Sequence, residues 1–409
     1  MRPEEERALL WSFAYFFSLL AAYYILRPLR DEMGVAGGVR NLQWLFTATF
    51  VTMLAAVPCY GALVARLPRR RFIPLVYHFF VANLAAFWLL LALGVARETV
   101  ARVFFVWISV FVLFAVSVFW SFMADVWRSE QGKRLYGFIA AGGSAGALAG
   151  PALTIGLSQL IGAVNLLIVA AALLEAAVFC ARRLEVEKES PSERQSAVGG
   201  GAIDGILMVL RSPYIAGITL WVALLSVAAT FLYFEQAAVV AAASDDPAVR
   251  TRIFATVDLA VGVLTLGVQF LATGRLIQRY GVGPALALVP LVFAAGFAVL
   301  AAAPGLAVVI AFQALQRTAT FAISNPAREV LFTVLERDEK YKAKNVIDIV
   351  AVRGADAAGG WLVTGLRLLG MQARELALSA IVLAAAGFVL SLGLGRGQAR
   401  RAHELARTL

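Results

Sequence analysis

The chain has 409 residues, of which 61% are hydrophobic and 15% are charged, and its formal net charge is +10. This apolar fraction excludes a water-soluble globular protein and predicts a membrane protein. Two histidines and two cysteines argue against a metal site, a disulfide framework or a histidine-based catalytic triad. We therefore expect a protein that is not an enzyme and that has no catalytic residues, no metal and no cofactor.

Apolar runs of about 20 residues predict the membrane-spanning helices of an all-α polytopic protein. Lysine and arginine concentrate in every second connection, which by the positive-inside rule places both termini in the cytoplasm. The basic balance thus reflects topology, and we expect no nucleic-acid partner. The twelve predicted spans cover residues 8–31, 42–65, 72–95, 101–124, 135–160, 162–181, 213–241, 252–274, 282–301, 304–326, 345–368 and 375–395.

A charged, glycine-containing stretch at 182–212 interrupts the apolar pattern and predicts a cytoplasmic linker. Six spans precede it and six follow it. We therefore predict an N-terminal six-helix bundle at 1–181, a C-terminal bundle at 213–395 and a cytoplasmic tail at 396–409. Two parallel six-helix halves are the plan of the major facilitator fold.

The connection after span two, residues 61–71, resembles the loop motif of major facilitator transporters, a glycine followed by an acid, an arginine and a basic pair. Here Ala65 stands where that motif has its acid. The resemblance implies a gating role for Arg66, Arg69 and Arg70. The alternative is that these arginines only anchor the topology.

Span five carries Gly142, Gly146 and Gly150 on one helix face. Small faces let helix backbones approach closely in lipid. The pattern is consistent with tight packing. It is also consistent with a seam along which the two halves rock, and these glycines would then be gating residues.

Charges inside apolar spans are costly, so they mark candidate routes for a polar substrate. Arg27 and Arg30 lie three apart at the end of span one, and such guanidinium groups bind carboxylate or phosphate oxygens. They could instead snorkel to the headgroups. The candidate substrate-binding residues are Tyr23, Tyr24, Arg27, Arg30, Arg317 and Arg353.

Carboxylates in the spans are candidates for coupling or ion pairing: Asp31, Glu235, Asp258, Asp348 and Asp356. Arg353 and Asp356, three apart, could simply pair with each other on one helix face. Glu175 in span six is expected to pair with Arg182 or Arg183, or to snorkel.

Four segments, in order, resemble the bacterial and plastid ATP/ADP translocases, the nucleotide transporter family. They are residues 26–31 (Leu-Arg-Pro-Leu-Arg-Asp), 119–136, 325–332 and 338–360. The resemblance implies exchange of nucleotides through basic and acidic residues in the helices. By position, Asp31 and Asp348 match that family directly.

The chain also matches the family at three further positions, Glu329, Lys342 and Lys344. In contrast, Asp356 stands where the family often has a lysine. The basic and acidic residues of the two equivalent inner loops are candidate gating residues. They are Glu130, Lys133, Glu329, Glu339, Lys342 and Lys344.

Together these features predict a secondary active transporter that moves a small anionic solute, nucleotide-like or another phosphorylated or organic anion, by alternating access. We expect a monomer in the bacterial inner membrane, with the bilayer as partner and protons as a candidate coupling ion. One alternative is a proton-coupled facilitator for a non-nucleotide molecule. Another is a non-transporting membrane sensor or partner protein.

Overall fold

The computed structural model describes residues 3–66, 69–127, 129–184 and 202–408. These residues form helices and no strand, which confirms the all-α prediction. Helices cover all twelve predicted spans. The helices are α1 Pro3–Ala36, α2 Leu42–Arg66, α3 Arg69–Ala92, α4 Arg97–Val126, α5 Ser129–Ile161, α6 Leu166–Arg183, α7 Ala202–Arg211, α8 Pro213–Ala243, α9 Pro247–Val268, α10 Gly274–Tyr280, α11 Val282–Ala302, α12 Leu306–Ala319, α13 Asn325–Leu331, α14 Arg337–Asn345, α15 Val352–Leu368 and α16 Ala373–Thr408.

Within the described ranges, 10 helices are long and apolar enough to cross a membrane. The helices of predicted spans six and eleven fall outside this set. Helix α6 contains Glu175 and ends in an arginine pair, and α15 contains Arg353, Asp356 and Arg367.

Three short π-helical segments interrupt the long helices of the second half. They are Gln269–Thr273 after α9, Thr320–Ser324 after α12 and Val346–Ala351 before α15. A π segment releases backbone carbonyls from the regular helical ladder, and such segments often lie at functional sites. Thr273 Oγ1 donates to one of these carbonyls, Ala322 O, at 2.7 Å.

Glycines in the left-handed region end two of the helices. Gly162 separates α5 from α6 and Gly281 separates α10 from α11, and each has φ 82°. A residue with a side chain is strained in this conformation, whereas glycine adopts it readily and closes a helix C-terminus.

The chain packs as two units. Unit 1 contains Met1–Val39, Val51–Ser192 and Ser244–Gly262, and unit 2 contains Arg40–Phe50, Glu193–Ala243 and Val263–Leu409. Unit 1 therefore includes a segment from the second half of the sequence, and unit 2 includes one from the first. The predicted domain boundaries, which follow the linker, stay a prediction.

The core of unit 1 forms where α1 packs against α4, α5 and α6. The Phe16 and Phe119 rings stack with centroids 4.1 Å apart. Beside them Tyr15 Oη donates to Tyr77 Oη at 2.8 Å, and Tyr77 Oη donates to Ala115 O at 3.0 Å. Both tyrosine hydroxyls thus have a partner, as an apolar interior requires.

The core of unit 2 forms where α8 packs against α12, α15 and α16. Trp221 is 2% exposed, and its Nε1 donates to Ser391 Oγ at 2.7 Å. This bond satisfies a buried indole N–H and fixes α8 against α16.

Candidate functional site

Unit 1 gathers several predicted site residues into one group, which we call the arginine cluster: Tyr23, Tyr24, Arg27, Arg30, Asp31 and Asp258. Arg27 Nη1 lies 3.7 Å from Asp258 Oδ1. The Asp258 side chain is 1% exposed and that of Arg27 is 19% exposed. The ion pair joins α1 to the α9 segment that unit 1 includes.

An aromatic ring lies beside each of the two arginines of this cluster. The Arg27 guanidinium lies 5.9 Å from the Tyr24 ring centroid, and the Arg30 guanidinium lies 4.6 Å from the Phe105 ring centroid. Arg30 also donates to Asp31 Oδ1, with Nε at 3.1 Å. Rings and carboxylates both stabilise a guanidinium in an apolar setting.

A second ion pair, which the sequence did not indicate, joins the same two helices. Arg250 Nη2 donates to Glu32 Oε1 at 2.7 Å, and the side chains are 10% and 1% exposed. Arg250 Nη1 also donates to Ser244 O and Asp245 O, each at 3.1 Å. One guanidinium thus holds the start of α9 to the end of α1.

Unit 2 contains the other two predicted arginines. Arg353 Nη1 pairs with Asp356 Oδ2 at 3.4 Å, which is the pairing that their spacing allows. The Arg317 guanidinium lies 5.9 Å from the Phe321 ring centroid. Glu235 Oε1 accepts a 2.9 Å hydrogen bond from Arg367 Nη2.

A buried amide pair lies in unit 2, and neither of its members is among the predicted site residues. Gln313 Nε2 on α12 donates to Gln236 Oε1 on α8 at 2.8 Å, and the residues are 6% and 4% exposed. We call Gln236, Gln313, Arg317 and Phe321 the carboxamide cluster. Gln313 carries no charge, so a prediction based on charged residues in apolar spans does not include it.

Two ion pairs connect α13 to the helix that follows it. Arg328 Nη1 lies 3.1 Å from Asp348 Oδ1, and Lys344 Nζ donates to Glu329 Oε2 at 2.8 Å. Three predicted gating or coupling residues, Glu329, Lys344 and Asp348, are thus brought together. Two more, Glu339 and Lys342, lie on α14.

The side chains of five predicted gating residues lie outside the described part of the structure. They are Arg66, Arg69, Arg70, Glu130 and Lys133.

The predicted glycine face of α5 lies against α1. A Cβ added to Gly142 would come within 2.5 Å of Phe13 O, one added to Gly150 within 2.7 Å of Ala21 O, and one added to Gly146 would meet Phe17 O. The glycines therefore permit backbone contact, which is the packing interpretation. Their gating role stays a prediction.

Glu175 was expected to pair with the arginines at the end of its own helix, and the structure places it elsewhere. Its Oε2 lies 3.5 Å from His78 Nε2 on α3. The predicted pairing with Arg182 or Arg183 is wrong because it considered only neighbours in sequence, whereas α3 packs against α6, and the snorkelling alternative stays a prediction.

Comparison with known proteins extends these observations. The family model of the Major Facilitator Superfamily matches residues 8–335. None of the curated proteins matches the chain.

Solved structures resemble the chain over nearly its whole length. A point mutant of the nucleoside transporter NupG is 12% identical, with a TM-score of 0.69, and the match covers 95% of this chain and 98% of that one. A bacterial homologue of the human lysosomal transporter Spinster, inward-facing and unoccupied, is 13% identical, with a TM-score of 0.64 and coverage of 98% and 99%. At these identities the likeness concerns the fold alone.

The family model therefore covers most of the chain, and the fold agrees with it. This superfamily consists of transporters and not of enzymes. The chain belongs to the Major Facilitator Superfamily and is a multi-pass membrane protein that acts as a secondary transporter.

Proposed function

We propose that the protein carries a small anionic solute across a bacterial inner membrane by alternating access, with both termini in the cytoplasm. Arg27 and Arg30 bind the anion in unit 1, and Tyr23 and Tyr24 flank it. Nucleotides and other phosphorylated or organic anions are the substrate class that this chemistry favours. The working form is a monomer in the bilayer and has no nucleic-acid partner.

The Arg27–Asp258 ion pair is the observation that carries this proposal. At 3.7 Å the two charges attract each other without a hydrogen bond. Guanidinium donors usually bond oxyanions at about 2.7–2.9 Å. A substrate anion can therefore offer Arg27 shorter bonds than Asp258 offers.

Two further observations favour nucleotides as the first probes. Residues 26–31 resemble a segment of the ATP/ADP translocases, and Arg30 and Asp31 lie in it. NupG, whose fold this chain shares, is a nucleoside transporter. Both suggest solutes that combine a sugar, a base and, for the translocases, phosphates.

Exchange in proteoliposomes tests the proposal. Vesicles are preloaded with unlabelled ATP or ADP, and the entry of labelled nucleotide is followed in wild type, Arg27→Gln and Arg30→Ala. We expect exchange in wild type and its loss in both variants. Arg252→Gln is the matched control, because Arg252 is exposed and its guanidinium hydrogen-bonds only Gln159 among the described residues.

Loss of exchange in Arg252→Gln to the same degree would show a general defect and would remove the assignment of Arg27. Absence of nucleotide exchange in the wild type at any pH, together with proton-driven flux of another solute, would rule out the nucleotide class.

A second candidate is a proton-coupled facilitator, and the burial of Asp258 favours it. Carboxylates inside membrane spans form the proton relays of many pumps and transporters, and Asp258 is such a carboxylate. Asp258→Asn distinguishes the two functions. In a proton-coupled carrier the variant would keep solute exchange and lose accumulation driven by a pH gradient, whereas an anion exchanger would show no such split.

A further inference from the structure

The Gln313–Gln236 hydrogen bond lies in the interior of unit 2 and uses only part of what the two amides can do. A carboxamide has two N–H donors and an oxygen with two lone pairs. The 2.8 Å bond takes one N–H of Gln313 and the oxygen of Gln236. It leaves the Gln236 amino group as a donor and the Gln313 oxygen as an acceptor.

These remaining groups have no hydrogen-bond partner among the described residues. The polar side-chain atoms that are fully enclosed and unbonded, among the described residues, do not include these two. Both atoms are therefore accessible. A donor and an acceptor that remain open in the interior of unit 2 can bond water or a solute.

The same helix adds charge and an aromatic ring to this amide pair. Gln313 and Arg317 are four residues apart on α12, so both lie on one helix face. One turn further, the Phe321 ring lies 5.9 Å from the Arg317 guanidinium. A donor, an acceptor, a cation and a ring therefore follow one another along a short stretch.

We propose that the carboxamide cluster recognises the N–H and C=O edge of a nucleobase or a similar cyclic amide. Arg317 attracts the anionic part of the same solute. Gln313 Oε1 accepts from the N–H of the base, and Gln236 Nε2 donates to its C=O. This inference rests on the proposed function and refines it, since it adds a neutral recognition element to an anion carrier.

The competing explanation is that the amide pair only fastens α8 to α12. Interhelical amide bonds of that kind occur in membrane proteins. Such a bond would affect the stability of the protein and the binding of every ligand equally. Recognition of a base would instead affect only ligands that carry a base.

Binding of three probes to the purified full-length protein separates these explanations. Uridine 5′-monophosphate has a base and a phosphate, ribose 5-phosphate lacks the base, and uridine lacks the phosphate. Affinities are measured by calorimetry in detergent, for the wild type and for Gln236→Met and Gln313→Met, which keep the side-chain volume. Gln316→Met is the matched control, because Gln316 is buried on the same helix and bonds Thr320 Oγ1.

We expect the wild type to bind uridine 5′-monophosphate about 10-fold or more tightly than ribose 5-phosphate, because the amide bonds are made in a buried site. The Gln236 and Gln313 variants should lose this preference and bind ribose 5-phosphate as before. The Gln316 variant should retain the preference. Thermal unfolding of each variant shows whether it is folded.

Equal affinity of the wild type for the two phosphates would overturn the proposal without any variant. An equal loss for all probes in the variants would also overturn it and would favour helix fastening. If uridine binds and neither phosphate does, the anion proposal fails while the base site stands. If ribose 5-phosphate binds as tightly as the nucleotide, the base site fails while the anion proposal stands.

Discussion

The arginine cluster of unit 1 and the carboxamide cluster of unit 2 keep polar groups inside apolar helices by different means. In unit 1 the groups are charged, and each lies beside an opposite charge or a ring, as in the Arg27–Asp258 and Arg250–Glu32 pairs. In unit 2 a neutral amide pair is buried, the buried carboxylate of Glu235 pairs with the partly exposed Arg367, and the Arg353–Asp356 pair is partly exposed.

This difference suggests that the two clusters respond to different chemical features of a ligand. Charges respond to the charge of a solute at long range and tolerate variation in its shape. Amides require a donor and an acceptor in fixed positions, and a site that offers them discriminates strongly against a solute that lacks the match. We therefore expect ligand binding at the arginine cluster to depend mainly on the charge of the ligand, and binding at the carboxamide cluster to depend also on the ligand's hydrogen-bonding edge.

The largest expected effect concerns the most buried ion pair. Arg250→Met leaves Glu32 buried without its partner and should lower the free energy of unfolding by about 3–5 kcal/mol. Chemical unfolding in detergent measures this change. Arg252→Met, two residues away and exposed, should change the free energy by no more than about 0.5 kcal/mol.

A double variant sharpens this prediction. Glu32→Gln combined with Arg250→Met should cost less than the sum of the single changes, because the second change removes the unpaired charge that the first created. Simple additivity would show that Arg250 acts through the Ser244 and Asp245 carbonyls and not through Glu32.

The close approach of α5 to α1 should give the next largest effect. Gly146→Val places a side chain against the backbone carbonyl of Phe17, and such overpacking costs about 1–3 kcal/mol. Gly156→Val on the same helix is the control, because a Cβ there meets nothing within 4 Å. Equal unfolding free energies for the two variants would mean that α1 can shift away, and that burial of the arginine cluster does not depend on the glycine face.

Most of the fold followed from the sequence because membrane-spanning helices depend on long apolar runs, which are local. The pairing of Arg353 with Asp356 also followed, since residues three apart share a helix face. The same reasoning could identify Arg27 and Asp258 as unusual residues but could not join them, since their contact depends on how α9 packs.

Two buried residues, Arg250 and Gln313, were not among the site residues predicted from the sequence. Arg250 follows a polar stretch, Ser244 to Pro247, and therefore resembled an ordinary loop charge, although it is buried. Gln313 lies in an apolar span and carries no charge itself. A search for buried amides as well as charges in predicted spans would have found it.

The ion pairs around α13 should contribute less than the buried pairs of unit 1. Glu329 and Asp348 are 46% and 44% exposed, so water screens both pairs. Double-mutant cycles on Lys344–Glu329 and Arg328–Asp348 should give coupling energies below about 1 kcal/mol each. The coupling should fall further in 1 M salt, where the Debye length is about 3 Å; a salt-independent value would indicate that these pairs become buried in another state.

The smallest effect is expected for Arg353 and Asp356, which pair within one helix. An i,i+3 pair of this kind contributes about 0.2–0.5 kcal/mol, so Arg353→Gln and Asp356→Asn should leave the unfolding free energy almost unchanged. If Arg353 binds the solute, Arg353→Gln should nonetheless weaken transport, and Asp356→Asn should strengthen anion binding, because it releases the guanidinium. Unchanged transport in both variants would show that Arg353 and Asp356 only neutralise each other. Anion binding would then depend on the arginine cluster of unit 1.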